Sequence, residues 1–260
     1  MRQSPPPRPA ATVLVLRDAT DGFEVLMLRR NLNSDFVGGA YVFPGGAVDP
    51  ADASEERVVG LTDDEASRVL DLGAGGRAYF VAALRELFEE AGLLVACDEA
   101  GVAPRHEPAM ATRLADARVA LNEGREILSQ LLARERLWLD LRGVAYLAHW
   151  VTPVGPPRRF DTRFFVVTAP EGQGASHDDA ETVASAWVSP REALEAQARG
   201  EYEMIFPTIR TLQSVAGFAS AAEVIGFARG QATVATVEPR LVERGGVLTV
   251  LIQGDEGYDD

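Results

Sequence analysis

The stretch RELFEEAG places three acidic side chains close together, Glu86, Glu89 and Glu90. In an α-helix these positions stand at i, i+3 and i+4 and share one face, where like charges repel. Clustered carboxylate oxygens without a compensating cation suit a hard divalent ion such as Mg²⁺ or Mn²⁺. A solvated acidic helix face is the other structure that this pattern is typical of.

The surrounding residues predict the helix that carries these glutamates. Residues 78–92 have helical periodicity, and Gly92 is a typical C-terminal stop. Arg85 lies four residues before Glu89, which is the weaker order for an ion pair. Apolar side chains recur at i, i+3, i+4 and i+7 and form a stripe opposite the glutamates, at Leu84, Leu87, Phe88 and Ala91.

A tight turn, FPGG at residues 43–46, precedes this helix in the chain. Glycine has no side chain, so main-chain atoms there can approach an ion or a phosphate closely. The turn therefore supplies a second feature that favours a ligand site over a solvated helix face.

The turn and the helix together resemble the Nudix hydrolase motif, G-x5-E-x7-R-E-U-x-E-E-x-G-U, in which U is a bulky apolar residue. Its second half is intact from Arg85 to Leu93. In the first half, Asp52 stands where the family has glutamate. The chain then runs through 32 residues before Arg85 instead of seven, an insertion of 25 residues.

The resemblance implies a metal site that holds the diphosphate of a substrate. Glu86, Glu89 and Glu90 would be the Mg²⁺ or Mn²⁺ ligands, with Glu86 and Glu90 the best candidates. A main-chain carbonyl of the glycine pair, favoured at Gly45, would complete the site.

Three further motif residues would be structural, and one stays open. Arg85 would orient a glutamate through an ion pair, while Gly46 and Gly92 would shape the backbone. Asp52 either lies beside the N-terminus of the glutamate helix, with the insertion looping outward, or is only a turn residue. We favour the outward loop, with residues 53–77 a peripheral segment that supplies no metal ligand.

A further acidic candidate is Glu181, six residues before Trp187. Similar family members place a metal ligand or a catalytic base at such a position, so the base is either Glu86 or Glu181. A solvated loop carboxylate is the alternative for Glu181, and Asp178 and Asp179 are weaker candidates.

Arginines supply the candidates for substrate binding. Arg158 and Arg159, within GPPRRF, present guanidinium groups that match phosphate oxygens, and Phe160 can stack on a base. The resemblance also places Arg29 and Arg30, at the end of a predicted strand, in contact with substrate phosphate. A solvated turn and a charged strand end are the corresponding structural alternatives.

Composition excludes several classes of protein. The formal net charge of −14 argues against a nucleic-acid-binding surface. The chain has no lysine, and all 25 of its Lys and Arg residues are arginines. A Schiff-base lysine and a Walker A lysine are therefore excluded. The single cysteine, Cys97, excludes a disulfide framework, and His106, His149 and His177 show no metal-ligand spacing. We expect His149 to be a core histidine, whereas His177 can touch substrate.

The chain shows no sign of export or membrane insertion. Its N-terminal segment is polar and proline-rich, unlike a secretory signal, and no run of 18 apolar residues occurs. No peroxisomal Ser-Lys-Leu-type ending is present. We therefore expect a cytoplasmic protein with a small-molecule substrate and no membrane or nucleic-acid partner, while the oligomeric state stays open.

Residue patterns also predict the secondary structure. A DG turn joins the first two strands as a hairpin, and the strands and helices are mixed without strict βαβ alternation. The predicted strands span residues 11–18, 23–30, 40–46, 93–97, 143–153, 161–170 and 184–190, with a terminal hairpin at 233–242 and 245–252. The predicted helices span residues 62–73, 78–92 and 190–199, with further helices within 107–140 and 207–229.

The resemblance implies the α/β class and a Nudix-type α/β/α sandwich, with a mixed, curved sheet between helices. We expect a flexible lead-in over residues 1–10 and a single Nudix domain over 11–260. Helical insertions fall at about 53–77 and 104–140, and a helical C-terminal extension at about 207–260.

The implied function is divalent-metal-dependent hydrolysis of the diphosphate in a nucleoside diphosphate derivative. The long insertion, the arginine turn and the helices of 107–140 resemble a branch of the family that includes a peroxisomal coenzyme A diphosphatase. Coenzyme A or acyl-CoA is therefore the leading substrate. ADP-ribose or a dinucleotide is the enzymatic alternative, and a catalytically silent nucleotide sensor is the other.

Overall fold

The computed structural model describes residues 4–32, 38–105, 107–178, 181–244 and 247–258; His106 and Asp179 lie outside them. The described residues form thirteen strands, eight α-helices and one 3₁₀ helix, Leu141–Gly143. The strands are β1 Arg8–Ala19, β2 Gly22–Arg30, β3 Tyr41–Val42, β4 Gly45–Ala47, β5 Val58–Val59, β6 Ala96–Cys97, β7 Trp138–Asp140, β8 Ala145–Val151, β9 Phe160–Thr168, β10 Thr182–Val188, β11 Thr236–Val237, β12 Arg240–Arg244 and β13 Val247–Leu251. The α-helices are α1 Pro50–Ser54, α2 Asp63–Val69, α3 Gly76–Ala91, α4 Pro108–Asn122, α5 Leu128–Glu135, α6 Pro190–Ala198, α7 Phe206–Val215 and α8 Ala221–Gly230.

The main sheet is mixed and has the strand order β10-β2-β1-β9-β8-β11, with β3 beside β2 and β4 beside β1. Strands β1 and β9 are parallel, whereas β1 and β2 form the predicted antiparallel hairpin. The C-terminal half of β1 pairs with β2, and its N-terminal half pairs with the short strand β4. This arrangement brings the predicted glycine turn to the centre of the sheet.

Helices cover both faces of this sheet, as the sandwich prediction requires. Side chains alternate along β1, so Val13 and Val15 join the core beneath α3 while Leu14 and Leu16 join the core beneath α7 and α8. All four side chains are fully buried. The α/β/α sandwich is therefore confirmed, with α3 in one layer and the C-terminal helices in the other.

The two insertions meet in a second, three-stranded sheet of order β5-β7-β6. Strand β5 belongs to the first insertion, and β7 closes the second insertion and pairs with it in parallel. Strand β6 pairs with the other edge of β7. Because both insertions share this small sheet, each supports the other beside the helix that carries the glutamates.

Several predicted boundaries are wrong. Residues 8–10 of the predicted lead-in belong to β1, because they pair with β9 and, at Ala10, with β4. The strand predicted at 233–242 is two strands, β11 beside β8 and β12 in the terminal hairpin, with Pro239 between them. The C-terminal extension is consequently helical only as far as Gly230.

Local signals place the start of α2 and the end of α3 correctly, whereas α2 ends at Val69, before the end predicted at residue 73. Thr62 caps α2, its hydroxyl accepting a hydrogen bond from the Glu65 N–H at 3.3 Å, and the Glu65 carboxylate accepts one from the Thr62 N–H at 2.9 Å. Gly92 ends α3 with a positive φ of 71° and donates its N–H to the Phe88 carbonyl. In the described part of the chain, no helix is long and apolar enough to cross a membrane.

Helix α2 packs against the start of α3 at Gly76. A Cβ atom added at Gly76 would lie 2.3 Å from the main-chain nitrogen of Ser67, and the Gly76 N–H donates to the Ser67 hydroxyl at 2.9 Å. The close approach of two backbones at this point therefore requires a residue without a side chain.

Replacing Gly76 by alanine should lower the free energy of unfolding by about 1–3 kcal/mol, because backbone atoms of α2 must move to admit the methyl group. Gly73 is the matched control, since a Cβ atom there meets nothing within 4 Å. Urea unfolding of both variants tests this expectation. Equal stability of Gly76→Ala and Gly73→Ala would show that the helices are not in close contact there.

Candidate active site

A cavity of about 540 Å³ opens beside the glycine turn and the glutamate helix. At its polar end it is lined by residues from four separate segments of the chain, namely Arg30, Gly45, Gly46, Glu86 and Glu181. The strand pairing of β4 with β1, and the packing of α3 on the same sheet, bring these segments together. The structure thus unites the two halves of the sequence motif and the distant Glu181.

The three glutamates of α3 are not on a solvated face. Glu90 is 4% exposed, and the side chains of Glu86 and Glu89 are 15% and 23% exposed. The solvated-face alternative is therefore wrong, because α3 is packed on nearly all sides rather than along a single apolar stripe.

Arg85 is the buried hub of the site. Its Nη1 donates to Glu86 and to Glu89, at 2.9 Å each, so the ion pair with Glu89 forms despite the weaker order along the helix. Its Nη2 donates to the Ala47 carbonyl at 2.9 Å. Burial opposes the charged guanidinium, but hydrogen bonds to Asp52 and the nearby carboxylates raise the pKa of Arg85 above its ordinary value. The guanidinium thus orients two glutamates at once.

Asp52 is the principal partner of Arg85. Its carboxylate accepts from Nε of Arg85 at 2.8 Å and from Nη2 at 3.1 Å, and the residue is 2% exposed. It also accepts from the Asp49 N–H at 2.7 Å and so completes the cap of the short helix α1. Asp52 therefore lies beside the middle of α3, not at the helix N-terminus and not as a mere turn residue.

Two carboxylates of the first insertion, Asp63 and Glu65, accept hydrogen bonds from groups within the insertion itself. Asp63 accepts from the N–H groups of Gly75 and Arg77, at 2.9 and 3.0 Å, and these bonds lower its pKa. Glu65 is bound to Thr62, its hydrogen-bond partner in the cap, and Asp64 is exposed. These contacts agree with a peripheral insertion that supplies no metal ligand.

The glycine turn contacts Glu90 and Glu86, of which Glu86 lines the cavity. The N–H of Gly45 donates to Glu90 at 3.0 Å. A Cβ atom on Gly46 would lie 2.4 Å from a carboxylate oxygen of Glu86, so this oxygen rests directly on the backbone. Glycine at position 46 is thus needed for the close approach.

The pKa values of Glu86 and Glu90 are raised, because these carboxylates are buried and little positive charge lies near them. Burial raises the pKa of Glu86 to about 7; Arg85 opposes the shift, and the charges of Glu89 and Glu181 add to it. Burial also raises the pKa of Glu90 well above its ordinary value, with further raising by Glu86. Carboxylates of this kind are stabilised in their charged form by a bound cation.

The chemistry of the donors fits a hard divalent ion, because Glu86, Glu90 and Glu181 offer only carboxylate oxygens. Among the described residues, no three acidic, imidazole or thiol groups already surround one point. The carboxylates of Glu86 and Glu90 are held instead by Arg85 and by the Gly45 N–H.

Glu181 lines the cavity, and its charge raises the pKa of both Glu86 and Glu90. Its carbonyl accepts from the Asn31 N–H at 2.8 Å, next to Arg30. Its own N–H donates to Asp178 at 3.2 Å, and Asp178 also accepts from the Thr182 N–H at 2.8 Å. Asp178 thus holds the main chain at Glu181 and Thr182.

The structure separates the predicted substrate arginines into two groups. Arg30, Arg158 and Phe160 line the cavity, whereas Arg29 and Arg159 do not. Successive residues of a strand point to opposite faces, which places the side chain of Arg29 away from that of Arg30. Arg29 is exposed and its Nε donates to the Gly39 carbonyl at 3.4 Å.

Arg159 is a structural arginine. It is 9% exposed, its Nη2 donates to Glu238 at 2.7 Å, and its Nε donates to the Thr152 carbonyl at 3.0 Å. The substrate role predicted for Arg159 does not fit these contacts. The ion pair with Glu238 instead ties the arginine turn to the C-terminal extension.

Sequence reasoning missed the other end of the cavity. The C-terminal extension and β8 supply an apolar wall, and Trp150 meets Phe206 edge-to-face with ring centroids 5.9 Å apart. The wall residues are Trp150, Ile205, Phe206, Pro207, Pro239 and Val250. No local signal marks them, because their proximity to Glu86 arises only from the packing of α7 and the terminal hairpin.

Two of the histidines with predicted roles, His149 and His177, lie in the described residues. His149 is buried and contacts Asp161 through Nε2 at 2.5 Å and Thr236 through Nδ1 at 2.8 Å, as expected of a core histidine. The main-chain carbonyl of His177 accepts from Arg118 at 3.4 Å, which places this residue in the loop that leads to Glu181.

Comparisons with known proteins agree with the geometry of the site. The family described as the NUDT19 Nudix domain matches residues 73–214, and the NUDIX domain family matches residues 6–128. The acyl-coenzyme A diphosphatase NUDT19 of Homo sapiens is 28% identical over 290 residues, covering 98% of this chain and 75% of the relative. The protein of the same name from Gallus gallus is 28% identical over 282 residues, covering 92% and 73%.

A solved structure agrees as well. The crystal structure of a NUDIX hydrolase from Alicyclobacillus acidocaldarius is similar, with a TM-score of 0.68 and 30% sequence identity over 88% of this chain and 98% of that one. Members of this family generally need a divalent metal ion to hydrolyse a diphosphate linkage. With its buried glutamate helix, its arginine hub and its glycine turn, the chain belongs to the Nudix hydrolase family.

Proposed function

We propose that the chain hydrolyses the diphosphate of coenzyme A or an acyl-CoA with Mg²⁺ or Mn²⁺. One observation carries this proposal: a single cavity joins Glu86, Glu181 and Arg30 at one end to an apolar wall at the other. Coenzyme A has a matching distribution, with a central diphosphate and a long, weakly polar pantetheine arm. The names of the human and chicken relatives agree with this substrate class.

The residues proposed to hold the metal are Glu86, Glu90 and Glu181, with Glu89 beside them and the Gly45 carbonyl as the main-chain ligand. When bound, a divalent ion neutralises diphosphate oxygens and lowers the pKa of water. Arg85 keeps Glu86 and Glu89 oriented. Glu86 or Glu181, both facing the cavity, accepts the proton of the attacking water.

The remaining cavity residues bind the rest of the substrate. Arg30 stands at the glutamate end and is suited to diphosphate oxygens, and Arg158 is suited to the 3′-phosphate of coenzyme A. Phe160 offers an aromatic face for the adenine. The apolar wall from α7 and the terminal hairpin accepts the pantetheine arm and an attached acyl chain.

A panel of diphosphate substrates with Mg²⁺ or Mn²⁺ tests the proposal, with products identified by mass. Coenzyme A and acyl-CoA should yield 3′,5′-ADP and the corresponding phosphopantetheine, and they should exceed ADP-ribose and dinucleotides in kcat/KM. A preference for ADP-ribose or a dinucleotide would overturn the coenzyme A assignment.

Replacing Glu90 by glutamine should lower kcat on the order of a hundredfold or more, because the variant loses the charge that binds the ion. The amide keeps the shape and can still accept from the Gly45 N–H, so the melting temperature should change little. Steady-state kinetics at limiting Mg²⁺ measure the effect. Glu123→Gln, an exposed change outside the cavity, is the control, and near-normal turnover of Glu90→Gln would contradict the metal assignment.

Protons and metal should compete for the same carboxylates. The pKa of Glu86 is about 7 in the metal-free fold and ordinarily 4.5. Between these values the folded state holds a proton that the unfolded chain has lost, so the free energy of unfolding falls as pH rises. Because the ion binds ionised glutamate, we expect the rise in Tm caused by Mg²⁺ to grow from about pH 5 to about pH 8.

Thermal unfolding with Mg²⁺ or with EDTA across this pH range provides the measurement. Glu86→Gln should reduce the pH dependence of the metal-free protein, since it removes one of the glutamates whose pKa burial raises. A Mg²⁺ effect of equal size at both ends of the range would contradict competition between protons and metal.

Replacing Arg158 by alanine should raise KM for coenzyme A on the order of tenfold or more, and KM for dephospho-coenzyme A much less. The difference follows from the lost charge opposite the 3′-phosphate. Arg159→Ala is the matched control, because Arg159 binds Glu238 and carbonyl groups rather than the cavity. It should lower stability without discriminating between the two substrates, and an equal effect of Arg158→Ala on both would remove the proposed role.

A further inference from the structure

Helix α4, within the second insertion, contacts the C-terminal end of the glutamate helix through Arg118. Its Nε donates to the main-chain carbonyl of Glu89 at 2.8 Å. Its Nη1 donates to the Ser176 hydroxyl at 3.0 Å and to the His177 carbonyl at 3.4 Å. One guanidinium therefore joins the glutamate helix to the loop that precedes Glu181.

The same loop is fastened to the end of α3 by two further contacts. The Ser176 N–H donates to the Ala91 carbonyl at 3.0 Å. The side-chain amide of Gln173 accepts from the Leu94 N–H at 2.8 Å and donates to the Leu94 carbonyl at 3.0 Å. Residues 173–177 thus lie along the end of α3. Arg118, from helix α4, holds these two segments together.

The chemistry of a helix end explains why an arginine suits this position. The last carbonyls of α3 have no partner within the helix, and a positive charge there is favoured by the helix dipole. Gly92 leaves the room for it: a Cβ atom at this positive-φ residue would lie 3.2 Å from Nη1 of Arg118. The glycine of the motif therefore serves the tie as well as the helix stop.

The position of Glu181 depends on this loop. His177 is followed by Asp178, whose carboxylate accepts from the N–H groups of Glu181 and Thr182. On its other side the Glu181 carbonyl is fixed by Asn31. A shift of the 173–178 segment would move Glu181 relative to Glu86 and Glu90, whose pKa values its charge raises.

We propose that Arg118 is a positioning residue for the hydrolysis: it sets the distance between Glu181 and the glutamates of α3 by holding the loop against the helix end. This inference rests on the proposed role of Glu181 as ligand or base. It also gives the second insertion a part in the reaction. Misplacing a reacting group by about 1 Å is enough to cost on the order of a hundredfold in rate.

The test compares Arg118→Ala with Asn122→Ala. Asn122 also donates to the Glu89 carbonyl, at 3.2 Å, and no contact joins it to the loop in the described residues. Arg118→Ala should lower kcat by about tenfold to a hundredfold with little change in KM, while Asn122→Ala should stay within about twofold of the wild type. Backbone hydrogen exchange in 173–178 should rise in Arg118→Ala only.

Combining Arg118→Ala with Glu181→Gln isolates the pathway of the effect. If Arg118 acts through Glu181, the arginine change should cost less than about threefold in the Glu181→Gln background. Arg118→Lys keeps the charge but replaces the separate donors Nε and Nη1 with one ammonium nitrogen, so it should fall between the wild type and Arg118→Ala. It also serves if the alanine variant does not fold.

Three results would each overturn the proposal. They are a double variant in which the two single reductions of kcat simply multiply, a wild-type kcat in Arg118→Ala, and an unchanged kcat in Glu181→Gln. The activity of Glu90→Gln reports on the metal site separately. Its loss, together with a normal Arg118→Ala, would leave the proposed function standing and remove only the positioning role.

Discussion

The buried contact between Arg85 and Asp52 is the interaction on which the site depends. Two charged groups leave water here, and removing one partner of such a pair typically costs about 3–5 kcal/mol. The guanidinium offsets the free-energy cost of leaving water by also donating hydrogen bonds to Glu86, Glu89 and the Ala47 carbonyl. Because these partners come from α1, α3 and the end of β4, one side chain fixes the relative position of three elements that carry or support the glutamates.

A consequence of this hub is that the glutamates divide into differently balanced groups. Glu89 shares Arg85 with Glu86, whereas Glu90 accepts a hydrogen bond from the Gly45 N–H, which carries only a partial positive charge. Burial raises the pKa of both Glu86 and Glu90, and the charge of Glu181 adds to both shifts. The glutamates beside the cavity therefore carry more negative charge than their hydrogen-bond partners balance. A divalent ion and the arginines of the cavity are suited to supply the missing positive charge.

Local chemistry made part of this structure predictable. The capping box at Thr62, the stop at Gly92 and the motif from Arg85 to Leu93 depend on residues a few positions apart, and the structure has the helices that they predict. The partner of Arg85 could not be assigned in the same way. Asp52 is separated from Arg85 by the first insertion, and the number of residues in an insertion does not determine how close its two ends lie in space. The separation of Arg158 from Arg159 likewise depends on Glu238, 79 positions further along the chain.

The long insertions become intelligible once these contacts are considered together. The first insertion leaves Asp52 next to Arg85 because α2 returns the chain to Gly76, where two backbones meet closely enough to exclude a side chain. The second insertion pairs with the first through β7 and β5, and its α4 reaches the end of α3 through Arg118. Each insertion therefore acts on a different end of the same helix. The C-terminal extension, tied by Arg159 and Glu238, closes the cavity from the opposite side, so the segments added around the motif shape the space in front of the glutamates without replacing any of them.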